Sequence, residues 1–289
     1  MYKMSVPIIQ GGMGVGISMG SLAGAVAAEG GMGVISTANI GFREKDFWSN
    51  PQEANCRALE KEIRRAREIS DGKGLIAVNA MVATKNFAEM VKVAVKSGID
   101  AVISGAGLPL NLPDLVDDKT LIAPIVSGKR AASLLMRTWK SKHGRSPDFL
   151  VVEGSKAGGH LGFKKEELIE GRESKLEDII SDVTSVAMGI SVFGAGGIFD
   201  SEDIKTIKDR GAAGVQIATR FIATQECDAS QGYKDRILSA KSEDVKIITS
   251  PVGMPGRALN SPLIKRVSKQ LRIAPKRCID CIITCNPGT

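Results

Sequence analysis

Residues 151–163 read VVEGSKAGGHLGF. An apolar run stops at Glu153, and a small-residue turn, Gly158-Gly159, then delivers His160, one of two histidines in 289 residues. Bare backbone N–H groups suit a phosphate or a ring carbonyl, and an imidazole suits proton transfer near neutral pH. The same residues would equally make a glycine turn beside a structural histidine, so the rest of the chain has to decide. Glu153 reads as a carboxylate that orients neighbouring backbone or Lys156, and Lys156 itself would either meet anions or be solvated. His143, in the polar stretch 141–145, reads as a surface residue. A second group lies near the end, where Cys278, Cys281 and Cys285 are spaced C-x2-C-x3-C. That spacing puts three thiolates within reach of one metal ion or iron–sulfur cluster. No fourth ligand follows in the local run, Cys56 and Cys227 are distant in sequence, and free thiols are the other reading.

Something must hold these groups, and the hydrophobic pattern says what. Short apolar runs at 7–10, 33–36, 75–79, 101–104, 121–126, 149–153, 191–194 and 214–218 alternate with segments of helical spacing at 22–29, 53–69, 87–96, 129–140, 175–188, 201–208 and 219–224. The fourth run is followed by a short helix or turn at 112–116, and the sixth by a polar insertion at 164–174. Eight strand-then-helix units in about 220 residues is the count of a (β/α)8 TIM barrel. The runs are continuously apolar, as parallel strands covered on both faces should be. A doubly wound dinucleotide-binding sheet would need G-x-G-x-x-G after a strand. Gly14-x-Gly16 is followed by Met19 where the third glycine should stand, so the fingerprint is incomplete. The expected organisation is a barrel over 1–250 and a loop-rich C-terminal extension with a Cys-rich tail over 251–289.

In such a barrel the chemistry sits at the C-terminal ends of the strands. Those ends read Gln10-Gly11-Gly12-Met13, Asn79, Ser104 to Gly107, Ser127-Gly128, Glu153 to His160, Gly194 to Gly197, and Gln216 to Arg220. Nearly all are small or amide-bearing, so backbone N–H groups can approach a flat ring and a phosphate closely. Barrel phosphate sites form after strands seven and eight, where Gly196-Gly197 and Ala218-Thr219 stand. These glycines would otherwise be tight turns. Glycine-rich loops after five of the eight strands favour a phosphate-bearing cofactor.

Read in order, PIIQGGMG, VNAMV, ISGAG, VVEGSKAGGHLG, VFGAGGI and GVQIATRF resemble the successive motifs of the nitronate monooxygenase family, formerly called 2-nitropropane dioxygenases. That family includes the flavin-dependent enoyl-[acyl-carrier-protein] reductases. The resemblance runs from about Val6 to Arg257 and implies a TIM barrel holding FMN at the strand C-termini. It implies that Gly11, Gly12 and Met13 flank the isoalloxazine, with Asn79 near its polar edge. Gly158, Gly159, Gly196, Gly197, Ala218 and Thr219 would hold the ribityl phosphate, with Gln216 at the same end of strand eight. His160 matches the family's active-site histidine. Ala218 departs from the family's usual glycine. The proline- and glycine-rich segment after Ser250 is shared within the subtype and is expected near the mouth.

The implied activity is FMN-dependent oxidation of alkyl nitronates with His160 as acid/base. The alternative is an NAD(P)H-dependent enoyl-[acyl-carrier-protein] reductase, and a less favoured one is a non-catalytic flavin-binding barrel. A phosphosugar isomerase would want more carboxylate and lysine at its strand ends. A net charge of +7 suits an acidic carrier protein, whereas 4% aromatic residues argue against a nucleic-acid platform. No run of 18 apolar residues marks a membrane span, and the first strand begins too early to leave room for a signal peptide. An odd, late-clustered set of five cysteines is unlike a secreted disulfide framework. A cytoplasmic enzyme with no membrane contact, assembling as a homodimer, is the expectation. The chain stops four residues after Cys285, where related proteins continue, which reads as a truncated tail.

Overall fold

The computed structural model describes residues 4–250, 253–269 and 276–285. Eight parallel strands close on themselves: β1 (Ile8–Gln10), β2 (Met32–Ser36), β3 (Leu75–Met81), β4 (Ala101–Gly105), β5 (Leu121–Val126), β6 (Phe149–Glu153), β8 (Ser191–Ala195) and β9 (Gly214–Ile217). The remaining strands, β7 (Gly159–His160), β10 (Val245–Thr249) and β11 (Pro255–Leu259), form a separate antiparallel sheet. The helices are α1 (Gly20–Ala28), α2 (Pro51–Ser70), α3 (Phe87–Lys96), α4 (Lys129–His143), α5 (Lys165–Glu170), α6 (Leu176–Thr184), α7 (Ser201–Asp209), α8 (Thr219–Ile222), α9 (Gln231–Leu238) and α10 (Pro262–Ser268). Only a 3-10 turn, Leu112–Leu115, stands between β4 and β5. The (β/α)8 barrel expected from the eight apolar runs is therefore present. Among the described residues no helix is long and apolar enough to cross a membrane.

Each barrel strand buries both faces, and the two sets of side chains have different tasks. Val78, Val102, Ile122, Leu150, Val152 and Val192 point outward into the layer shared with the helices. Ile9, Val34, Ala77, Ile103, Ala123, Phe149, Val151 and Phe193 fill the lumen. Phe149 and Phe193 meet edge to face with centroids 5.6 Å apart, so the middle of the barrel is a solid plug. Below it, aspartates finish the neighbouring ladders: Asp100 accepts from Ile76 N–H and Asp148 from Ile122 N–H, both at 2.8 Å. Those contacts are at the N-terminal end, where a barrel spends its side chains on stability.

Two segments differ from the sequence expectation. The polar insertion at 164–174 contains the short helix α5, and the supposed loop after Ser250 becomes strand β11, paired with β10 from Val245↔Leu259 to Thr249↔Pro255. The prolines and glycines conceal a hairpin whose other edge is completed by residues almost a hundred positions earlier, in β7.

Close helix-to-strand approach makes a stability test. A Cβ on Gly33 of β2 would overlap the backbone carbonyl of Ala23 in α1, whereas nothing lies near a Cβ on Gly232 in α9. We expect Gly33→Ala to destabilise the barrel by about 3 kcal/mol or more, while Gly232→Ala holds or slightly raises the thermal midpoint. Equal midpoints for the two variants would contradict this packing.

Candidate active site

Side chains alternate along a strand, so the lumen-facing rows can be followed upward past the plug. Ala77 is succeeded by Asn79, Ile103 by Gly105, Val151 by Glu153, and Gly214 by Gln216. Cross-strand register aligns Glu153 with Ala195, Ala195 with Gln216, and Gln216 with Ile9. Amides, a carboxyl and small residues thus replace the apolar plug at the C-terminal end of the lumen.

The end of β1 threads between two of these amides. A Cβ on Gly11 would sit 3.3 Å from the Gln216 side chain, and one on Gly12 would overlap Asn79 Cβ. Gln10 is fully buried and stitches β1 to β2: its Oε1 accepts from Val34 N–H at 3.0 Å and its Nε2 donates to Gly11 O. The main-chain groups of Met13 are engaged by Ser18, whose Oγ accepts from Met13 N–H at 2.7 Å. Its side chain packs beside Leu22 and Ile222. Gly11 is buried with its N–H donating to Ile217 O at 2.8 Å, so Gly12 is the backbone left bare at the mouth. Asn79 uses its carbonyl to accept from Thr37 N–H and Oγ1, both at 3.1 Å, and its side-chain amide has no partner among the described residues. Gln216 Oε1 is enclosed and lacks a donor. An unmade bond of this kind costs about 1–3 kcal/mol unless something supplies it.

The loops after β6 and β8 lean on each other. Gly196 and Gly197 have φ of 96° and 84°, in the region that favours glycine. A Cβ on Gly196 would lie 2.9 Å from Gly154 O and 3.0 Å from Ala157 N, and one on Gly197 2.8 Å from Lys156 Cβ. The Lys156 stem therefore covers Gly197, and its exposed side chain is not oriented by Glu153. Arg220, in α8, donates to Phe199 O at 2.9 Å and stacks on the Phe199 ring at 4.3 Å, tying α8 to the β8 loop. Ala218 has a φ of −125°, which any L-residue adopts, so the methyl group that departs from the family pattern brings no backbone strain. Open space surrounds Gly158 and Gly159.

His160 follows these glycines. It pairs with Gly256 of β11, Gly159 pairs with Arg257, and Leu161 N–H donates to Pro255 O at 2.8 Å. Arg257 reaches back to donate to Ser155 O at 3.0 Å. Half-buried, the imidazole makes no hydrogen bond among the described residues, and burial holds its pKa below the ordinary value. It is a neutral ring, able to accept a proton at one nitrogen and donate from the other. Glu153 is likewise without a hydrogen-bond partner, and burial pushes its carboxyl up to about 8.

Two site expectations have distinct outcomes. His143 is not a surface residue: its side chain is only 10% exposed, Nδ1 lies 2.7 Å from Asp114 Oδ1, and Nε2 3.1 Å from Leu110 O. It pins the end of α4 to the β4–β5 connection, a task invisible in the local polar stretch. Cys278 and Cys285 are exposed and Cys281 is half-buried, all three as free thiols. Among the described residues no three His, Cys, Asp or Glu side chains converge to hold a metal ion. Their segment is nevertheless docked on the loop after β3: Lys85 N–H donates to Cys281 O at 3.0 Å, Ile283 N–H to Ala83 O at 2.9 Å, and Lys85 pairs with Asp280. Local sequence gave no direct sign of Arg257 as a site residue; the alternation on either side of a Pro/Gly turn was the available clue.

A barrel with its plug below and glycine loops, free amides and a neutral histidine above has an open mouth at the C-terminal ends of its strands, where barrel enzymes carry their chemistry. The family model for nitronate monooxygenase matches residues 1–281, and the chain belongs to that family, within a superfamily of flavin-dependent oxidoreductases. It is 25% identical to a probable nitronate monooxygenase of Staphylococcus aureus over 93% of this chain and 79% of that protein. It is 26% identical to the (3aS,4S,5R,7aS)-5-hydroxy-7a-methyl-1-oxo-octahydro-1H-indene-4-carboxyl-CoA dehydrogenase of Mycobacterium tuberculosis, covering 92% of this chain but 66% of that one. The structure of FabK from Thermotoga maritima superposes with a TM-score of 0.75 at 26% identity, over 93% of this chain and 76% of that one.

The buried carboxyl makes stability depend on pH. Glu153 keeps its proton in the folded state up to about 8, whereas the unfolded chain releases it near 4.5. Its contribution is therefore complete below pH 4.5 and is lost as pH rises toward 8. Between pH 5 and 8 the thermal midpoint of the wild-type protein should fall more steeply than that of Glu153→Gln. Parallel profiles would show that Glu153 titrates normally.

Proposed function

We propose that the chain is an FMN-dependent oxidoreductase that oxidises alkyl nitronates, with His160 as its acid/base. The observation that carries this reading is the unpartnered, half-buried and neutral imidazole, fixed by β11 at the end of the glycine loop. The surrounding residues fit FMN: an enclosed Gln216 Oε1 without a donor, a free Asn79 amide, and open space at Gly158 and Gly159. Gly11, Gly12, Met13 and Asn79 would border the ring, with Gln216 beside them. Gly158, Gly159, Gly196, Gly197, Ala218 and Thr219 would hold the phosphate. The bound flavin supplies the capacity to take up or give an electron pair. Neutral His160 would accept the α-proton of a nitroalkane, or donate its N–H to the nitronate oxygens. In this reading 1–250 is the FMN-binding barrel and 251–289 a C-terminal loop and Cys-rich tail, of which β11 edges the mouth.

A second reading is an NAD(P)H-dependent enoyl-[acyl-carrier-protein] reductase. The carboxyl-CoA substrate in the name of the M. tuberculosis relative favours a thioester, and the +7 charge suits an acidic carrier protein. His160 would then polarise the thioester carbonyl or deliver a proton.

The purified protein should be yellow, and anaerobic nitronate should bleach it. Bleaching by NADH or NADPH with reoxidation by a crotonyl thioester would select the second reading. A yellow protein inert to both would be a non-catalytic barrel, and a colourless one that rejects FMN would remove all three. His160→Ala should lower turnover roughly 100-fold or more while keeping its flavin; wild-type turnover would refute the assignment.

For the cysteine run, free thiols are the default reading, and a ligand set for a metal ion or iron–sulfur cluster completed by a fourth ligand from elsewhere is the second. Ligand-like spacing supports this, as does the Asp280 N–H aimed at Cys278 Sγ at 3.4 Å. On the second reading iron and acid-labile sulfide are found in anaerobically purified protein and lost in Cys281→Ser. Absence of bound metal from the wild type would end the idea.

A further inference from the structure

Arg257 is a charge that the protein itself leaves unanswered. Its Nη2 donates to Ser155 O at 3.0 Å. Its Nε is enclosed with no acceptor. No carboxylate lies within ion-pair distance among the described residues, and the residues outside that set contain no Asp or Glu. The guanidinium is a planar cation with five N–H donors and no acceptor. A half-buried cation without a counter-charge marks a place where an anion is missing.

The surroundings specify the anion. Arg257 grips the loop at Ser155, and that loop continues through Ala157, which abuts Gly196, to Gly158 and Gly159, where nothing fills the space a side chain would take. Backbone N–H groups in a glycine loop beside a planar cation are the donor set that phosphate oxygens accept. We propose that Arg257 is the charge partner of a phosphate group bound against the loop 154–159. β11 delivers it: pairing of Arg257 with Gly159 sets the guanidinium in the same loop that presents His160. The phosphate has two chemical sources, the ribityl phosphate of a flavin or the phosphate of a pantetheine-type thioester carrier. The first source rests on the flavin reading above; the second does not.

The test is a binding titration of apoprotein, wild type against Arg257→Gln and Arg257→Lys, with FMN, riboflavin and coenzyme A as probes. Loss of one charge-assisted contact should weaken a phosphate ligand by about tenfold or more. FMN weakened with riboflavin unchanged assigns the cofactor phosphate. FMN unchanged with coenzyme A weakened assigns the carrier phosphate. In either case Arg257→Lys, which keeps the charge without the fork, should recover part of the affinity. Equal affinities of wild type and Arg257→Gln for every probe that binds would overturn the proposal. So would matched losses of FMN and riboflavin with a lowered thermal midpoint, since those mark a strap that only holds the loop. A wild-type protein that binds no FMN would instead sink the flavin reading, and coenzyme A would still decide for or against Arg257.

Discussion

Strand alternation in a closed barrel is the constraint on which the site depends. Once Phe149, Val151 and Phe193 are committed to the lumen, Glu153 has no choice but to face inward two residues further along β6. The same rule orients Asn79 above Ala77 and Gln216 above Gly214. Register then brings separate strands to a common level, with Glu153, Ala195, Gln216 and Ile9 linked pair by pair. A one-residue slip would turn every one of these side chains toward the helices. The apolar plug is thus what holds the polar row in position.

The lumen fixes strand ends but not the loops beyond them, and the antiparallel sheet supplies what the barrel lacks. His160 lies seven residues past the end of β6, on a segment with two consecutive glycines. Pairing with Gly256 and Arg257 gives that segment a hydrogen-bonded edge. Gly196 and Gly197 accept the loop's other side only because no side chain intervenes. Two kinds of contact, a ladder on one side and bare backbone on the other, set the histidine without touching its ring.

How much of this was legible in the sequence depended on how local the cause was. Parallel strands buried on both faces must be apolar throughout, so eight runs sufficed to read the barrel. The glycine loops announced themselves because each follows such a run. His143 could not be read from its neighbours: Ser141, Lys142 and Gly144 look solvated, yet the partners that bury its ring are Asp114 and Leu110, some thirty residues away. Glu153 was placed correctly at a strand end, but its protonation follows from the enclosed lumen rather than from Lys156. β11 was hidden for a similar reason, since its partner β7 is two residues long and lies beyond any local window.

The electrostatic character of the mouth follows from these placements. Enclosure keeps Glu153 protonated and His160 neutral at pH 7, so these two groups bring no charge to the glycine loop. Arg257 brings one positive charge from the far edge. Proton removal from a nitroalkane leaves negative charge on the nitro oxygens, and addition to an enoyl thioester builds it on the carbonyl oxygen. A neutral carboxyl and a neutral imidazole can both donate to such an oxygen, whereas an ionised Glu153 would repel it. On the proposed reading, the burial that costs Glu153 its charge is the same feature that would let this mouth receive a developing anion.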